Sequence, residues 1–192
     1  MSLVIAFFGM HGAVIAGDMR EIITLGDRMS TETLEQELYS GQIVTDEDLK
    51  KRAEELNVSL TISDEKRKVT QRENILVGEV SETQGGITRK RRLYATAGEY
   101  AMVEITGSVI TMTGKGRASN FVVLGNQITK QIAHSCIQEH WKNGGIHDAI
   151  RIIMLSMERA SKATSSVSGL YTLLHTPAKV SLSEVIGRDS RE

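Results

Sequence analysis

Two short apolar runs at the start of the chain constrain its fold more than any other feature. Leu3-Val4-Ile5-Ala6-Phe7-Phe8 contains no polar residue, Gly9-Met10-His11-Gly12 interrupts it, and Ala13-Val14-Ile15-Ala16-Gly17 resumes it. A strand with one wet face alternates apolar and polar residues, and neither run alternates. With glycines at the turn, the pattern predicts a β-hairpin buried on both faces. Such a hairpin needs a layer above it and a layer below it.

The rest of the chain supplies candidates for those layers. Residues 30–57 change character. Ser30-Thr31-Glu32-Thr33 predicts a capped helix start with Leu34, Leu38 and Tyr39 on one face, and Gly41 stops it. Thr45-Asp46-Glu47-Asp48 opens a second helix with Leu49, Ala53 and Leu56 as its stripe. The stretch predicts a helical hairpin inserted between strands and packed on the body as a flap. Strands are predicted over 58–62, 66–72, 74–80, 93–96 and 101–113, with Gln84-Gly85-Gly86, Gly98 and Gly107 as breaks. Then Phe121, Leu124, Ile128, Ile132, Cys136 and Trp141 mark a long helix. A second covers 146–162, with Ile150, Ile153, Met154 and Met157 inward. Residues 170–175 and 180–186 predict closing strands. Strands, an insertion, strands and then two adjacent helices predict an α+β fold with antiparallel sheets, one domain over 1–192.

Composition narrows the function classes. Twenty-three Lys and Arg against 24 Asp and Glu leave a formal net charge of -1, so bulk charge gives no case for nucleic-acid or membrane binding. No apolar stretch approaches the roughly 20 residues of a membrane span. The apolar start lacks a basic flank and is too short for a signal peptide. The lone Cys136 excludes an intramolecular disulfide and fits a reducing compartment. These features predict a soluble, cytoplasmic protein with no cofactor.

The amino terminus is the first candidate for chemistry. A small residue after Met1 permits removal of Met1, which leaves Ser2 with a free α-amine. Such an amine titrates near about 7.7–8.0 and can take a proton near neutrality. A hydroxyl beside a base is a nucleophile. Asp18 and Arg20 follow Ser2 by 16 and 18 positions, at the far end of the same hairpin.

The segment from Ser2 to Arg20 resembles the start of a mature proteasome β subunit, in which an N-terminal nucleophile, an apolar hairpin and Asp-x-Arg follow at this spacing. It is most similar to the connectases, proteasome-like proteins of methanogenic archaea, above all over Gly12-Ala13-Val14-Ile15-Ala16-Gly17-Asp18-Met19-Arg20-Glu21-Ile22. The resemblance implies an Ntn-hydrolase-like four-layer αββα sandwich with a helical-hairpin insertion. It implies an enzyme that forms an acyl-ester on Ser2 and passes it to the amine of a second peptide. Its implied partners are peptides carrying a Lys-Asp-Pro-Gly-Ala-type motif, with a link to a methyltransferase of methanogenesis.

Carried over residue by residue, the resemblance implies Asp18 and Arg20 as site residues. It also implies a lysine on the strand after the insertion, Lys68 in preference to Lys66, and an oxyanion donor at the N–H of Gly78. It places substrate-binding positions at Arg117 and Ser119, before the first long helix, and at Ser166 and Ser168 after the second. In that last loop the family's Asp is absent, with Thr164 or Ser165 in its place. Outside the resemblance, the offsets of His134, Cys136 and His140 do not converge on a metal. Gly114-Lys115-Gly116-Arg117 lacks phosphate-loop spacing, which leaves a carboxylate site at a helix N-terminus as its other reading. Arg89-Lys90-Arg91-Arg92 is a solvated hairpin end or a docking patch for an acidic peptide. A hydrolase of the same fold and a binding domain that kept the fold are the rival readings.

Overall fold

The structure, a computed structural model, describes residues 3–84, 87–183 and 186. The apolar runs form β1 (Val4–Gly9) and β2 (Gly12–Asp18), paired antiparallel, and every residue of both is buried. Two further strands, β10 (Asn120–Leu124) and β11 (Tyr171–Thr176), flank them in the order β10-β1-β2-β11. Successive side chains of a strand point to opposite faces. Leu3, Ile5, Phe7, Val14 and Ala16 therefore pack on Ala133, Ala149, Ile153 and Met157, from helices α3 (Gln127–His140) and α4 (Gly145–Ala163). Val4, Ala6, Phe8, Ala13 and Ile15 pack on Val69, Leu76, Val80 and Leu93.

Those last residues belong to a second sheet, an antiparallel meander of β5 (Val69–Arg72), β6 (Ile75–Gln84), β7 (Ile87–Thr96), β8 (Glu99–Thr106) and β9 (Val109–Gly116). The order is helix pair, sheet, sheet. On the outer face of the second sheet, Val77, Tyr94 and Val103 meet Leu182, with Val180 and Ile186 beside it. Among the described residues, that C-terminal segment stands where the second helical layer was expected.

The inserted region is larger than expected. Strand β3 (Glu21–Leu25), helices α1 (Arg28–Ser40) and α2 (Asp46–Glu55) and strand β4 (Ser59–Ser63) form one unit, with β3 and β4 paired antiparallel. Helix α1 starts before Ser30 because Asp27 caps it, its side chain accepting from the Ser30 N–H. Leu34, Leu38, Ile43, Leu49, Ala53 and Val58 give the unit its own core.

Three expectations are corrected. Phe121 and Leu124 lie on β10, not on a helix, because the β-branched run beside them pairs with β1 and the helix is capped only at Asn126. Met154 is 46% exposed, so it lies off the inward stripe of α4. In the predicted closing strand at 180–186, residues 184 and 185 lie outside the described residues, and Leu182, Ser183 and Ile186 are helical.

Candidate active site

Strand β2 delivers the Asp18 carboxylate to a position with no solvent contact. A buried charge is tolerated only when paired and hydrogen-bonded, and here both oxygens are engaged. Oδ2 accepts from the Leu3 N–H at 2.7 Å. Oδ1 accepts from the Arg20 N–H at 2.8 Å and from Lys68 Nζ at 2.7 Å. Lys68 Nζ also donates to the Arg20 carbonyl at 2.6 Å. Burial pushes the Lys68 ammonium below the ordinary lysine range, against the pull of Asp18. Lys66 instead meets Glu21 at the surface. Ser2 lies outside the described residues. Leu3, to which it is joined, is held by Asp18 through two hydrogen bonds, the first to the side-chain carboxylate and the second from the Asp18 N–H to Leu3 O at 3.1 Å.

Arg20 leaves the same strand exit in another direction. Its Nε and Nη2 form a two-pronged pair with Asp64, at 2.8 and 2.9 Å. Nη1 donates to Asp46 Oδ1 at 2.5 Å and to the Ser165 carbonyl at 2.9 Å. Ser165 Oγ donates to the same Asp46 oxygen at 2.5 Å. Hydrogen bonding to Asp64 is the main cause raising the guanidinium above its ordinary value, and Arg20 in turn holds Asp64 below the usual carboxylate range. Asp46 comes from α2. A carboxylate from the insertion thus reaches the 164–168 loop, whose own residues supply none.

That loop is buried. Ser166 Oγ accepts from Asn126 Nδ2 and from Thr164 Oγ1, both at 3.0 Å. Ser168 closes a local turn, its Oγ donating to the Leu170 carbonyl at 2.6 Å. Asn126 was not among the expected site residues. Its side chain caps α3 by accepting from the Thr129 N–H, and Asn126-x-x-Thr129 was the legible signal. With Phe121 on a strand, the loop that opens the helix comes later than expected, and Arg117 and Ser119 lie before β10, at its other end. Val4 pairs with Leu124 but Phe8 with Asn120, which separates the two ends by roughly 13 Å of strand. Arg117 is exposed and 3.6 Å from Glu99, and Ser119 lies beside Gly9. Gly114-Lys115-Gly116 ends β9 rather than opening a helix.

Gly78 is not a free loop donor. The Glu79 N–H donates to the Lys68 carbonyl at 2.8 Å. Amides alternate in direction along a strand, so the Gly78 N–H points the other way, to β7, where Gly78 pairs with Leu93. The glycine is needed for packing: a Cβ there would come within 2.7 Å of Val4 Cγ1 and 2.8 Å of Ile15 Cδ1. Beyond Glu79, β6 has no β5 partner. By the same alternation the Ser81 N–H faces that open side. Ser81 lines a cleft of about 690 Å³ together with Lys68, Arg20 and the β3 residues Ile22 and Thr24.

Other expected features fall elsewhere. Arg92 and Lys90 face Glu79, at 2.7 and 3.7 Å. Among the described residues no cluster of His, Cys, Asp and Glu could hold a metal ion, and no helix is long and apolar enough to cross a membrane.

No curated protein matches this sequence. Solved structures similar in outline include Anbu proteins. The chain is 8% identical to Anbu (ancestral beta-subunit) from Yersinia bercovieri, covering 91% of this chain and 80% of that one at a TM-score of 0.42. It is 11% identical to an Anbu mutant from Hyphomicrobium sp. strain MC1, covering 90% and 80% at 0.41. It is 12% identical to the helical Anbu assembly from Pseudomonas aeruginosa, covering 98% and 92% at 0.42. Similarity at that level carries no argument about function. The family model described as "Connectase MJ0548-like, N-terminal domain" matches residues 1–191, and the chain belongs to the connectase family.

Proposed function

We propose that this chain is an N-terminal-serine peptide ligase. Removal of Met1 leaves Ser2 carrying both nucleophile and base. Ser2 Oγ attacks a peptide carbonyl carbon while the α-amine takes the hydroxyl proton. The C–N bond breaks, the proton passes to the departing nitrogen, and an acyl-ester remains on Ser2. The amine of a second peptide then replaces that nitrogen. One amide is exchanged for another, so no nucleotide is consumed.

One arrangement carries this reading. The Asp18 carboxylate holds the backbone of Leu3 and the Lys68 ammonium at once, at 2.7 Å each, at the end of a hairpin buried on both faces. A positive group so fixed beside the residue after Ser2 favours an alkoxide and an unprotonated amine. Lys68 is the assigned lysine, and Arg20 positions the loop at residues 164–168. The oxyanion donor assigned here is the Ser81 N–H, because Gly78 donates within its sheet.

The cleft between β3 and the open edge of β6 suits an extended peptide, which would pair with free strand edges. Substrates are peptides with a defined motif, among them a methyltransferase of methanogenesis, encountered in the cytoplasm. The reading also assigns the body to the Ntn-hydrolase class.

Mass spectrometry of the purified chain with a donor peptide tests this. The expected result is loss of Met1 and an ester on Ser2 that disappears in Ser2→Ala. Adding an amine-ended peptide should give mainly the joined product. Retained Met1 removes the mechanism, and mainly hydrolysed product makes the chain a peptidase.

A further inference from the structure

A second cleft, of about 710 Å³, lies on the other side of the hairpin exit. Val4 is flanked by Gly17 of β2 and by Leu124 of β10. The chain preceding Val4 therefore emerges between two strand exits. One leads to Arg20, where the first cleft begins, and the other to Gly125 and Asn126, where the second begins. Tyr39 of α1 and Glu82 of β6 line both clefts and form the wall between them.

The second cleft runs along α3. Gln127, Gln131, His134 and Gln138 recur at i, i+4, i+7 and i+11, and all are exposed. That spacing makes one ridge on the helix. Amide side chains donate and accept hydrogen bonds, as a peptide backbone does, so the ridge suits an extended chain with little regard to its side chains. From Asn126 to Gln138 the helix rises about 18 Å, which matches about five extended residues.

We propose that this cleft seats the amine-ended peptide that consumes the acyl-ester, with its first residue beside Asn126 and the next four along the glutamine ridge. The inference rests on the ligase reading and states where its second substrate binds. The peptide's nitrogen lone pair attacks the ester carbonyl carbon and the carbon–Ser2 Oγ bond breaks. A proton passes from the nitrogen to Ser2 Oγ, which restores the hydroxyl. The fragment expelled in the first half-reaction leaves through the same cleft, because its nitrogen occupied the place the new amine takes.

The test separates the two half-reactions. The donor is a peptide ester with a small alcohol leaving group, which puts nothing in the second cleft. Gln131→Trp fills the cleft, and Gln127→Ala with Gln131→Ala strips the ridge without adding bulk. Both variants should form the Ser2 ester at the unmodified rate, while KM for an acceptor peptide rises about tenfold or more. Acceptors of one to eight residues should bind better with length up to about five and then level off. An acceptor KM within twofold of normal in both variants, or one independent of length, overturns the assignment. Absence of any ester in the unmodified chain overturns the ligase reading and this inference with it.

Discussion

The sandwich body and the inserted β3-α1-α2-β4 unit each enclose an apolar core, but polar contacts fasten them together at the site. In the body, sheet packs on sheet and helix through buried apolar side chains. The insertion buries a smaller cluster of its own. Arg20, on the body's strand exit, reaches Asp46 of the inserted unit and Asp64 just after it, whose carboxylates remain about one-third exposed. Lys68 and Asp18, the latter only two positions from Arg20, are 5% and 0% exposed. Neighbouring residues thus make one contact that water cannot enter and one that it can. The first holds the chain's beginning, and the second holds the wall of a cleft.

Breaking the dry contact should have the largest effect. Lys68→Met leaves Asp18 buried without its cation, which costs about 3–5 kcal/mol of stability by denaturant unfolding. Ester formation per folded molecule should fall by about a thousandfold. The folded Lys68 sits below the lysine reference of 10.5, so the unfolded chain binds more protons in the window between the two values. Stability of the unmodified chain therefore gains from this group as pH rises through that window, and Lys68→Met should lose that slope.

Next is a change in the body's packing that spares the charges. Gly78→Ala drives a methyl against Val4 and Ile15 and should cost about 2 kcal/mol. If Gly78 is structural, ester formation per folded molecule stays within twofold. A large loss of rate at intact fold would return the oxyanion role to this residue.

The wet contact should break more gently. Arg20→Ala is expected to cost about 1–2 kcal/mol, because its carboxylate partners can be hydrated. Hydrogen exchange should rise across residues 28–55 while β1 and β2 keep their protection, which would confirm that two regions are joined by a polar clasp. Uniform loss of protection would show one cooperative body instead.

The smallest effect concerns pH. Arg20 depresses Asp64 below 3.8, so Asp64 stabilises the clasp fully above that value and loses its contribution as pH falls through the folded value. Asp64→Asn should cost less than about 1 kcal/mol near neutrality. As pH falls into the acid range below 3.8, it should flatten the acid-induced exchange of residues 28–55.

The buried hairpin and the helix pair were legible because periodicity reports burial, and each residue's partner faces follow from strand geometry. The proximity of Asp18 to the chain's beginning was legible for the same reason, since a tight hairpin returns its second end to its first. Strand β3 was not legible. Glu21-Ile22-Ile23-Thr24-Leu25 carries a weak pattern, with Ile23 and Leu25 exposed in the fold, and its pairing with β4 spans the whole insertion. The Asn126-x-x-Thr129 cap was passed over because the apolar spacing of Phe121 and Leu124 continues that of the helix across a strand end. Ser81 could not be read, because an open strand edge depends on where the neighbouring strand ends.

By itself the sequence determined which stretches must leave water, and with them the hairpin, the insertion and the late helices, because burial of apolar side chains follows local pattern. Only the tertiary structure decided which lysine meets Asp18, which carboxylates hold Arg20 and which N–H faces the cleft. Those choices bring together residues 26 to 50 positions apart and turn on distances of a few ångströms, to which no local pattern is sensitive.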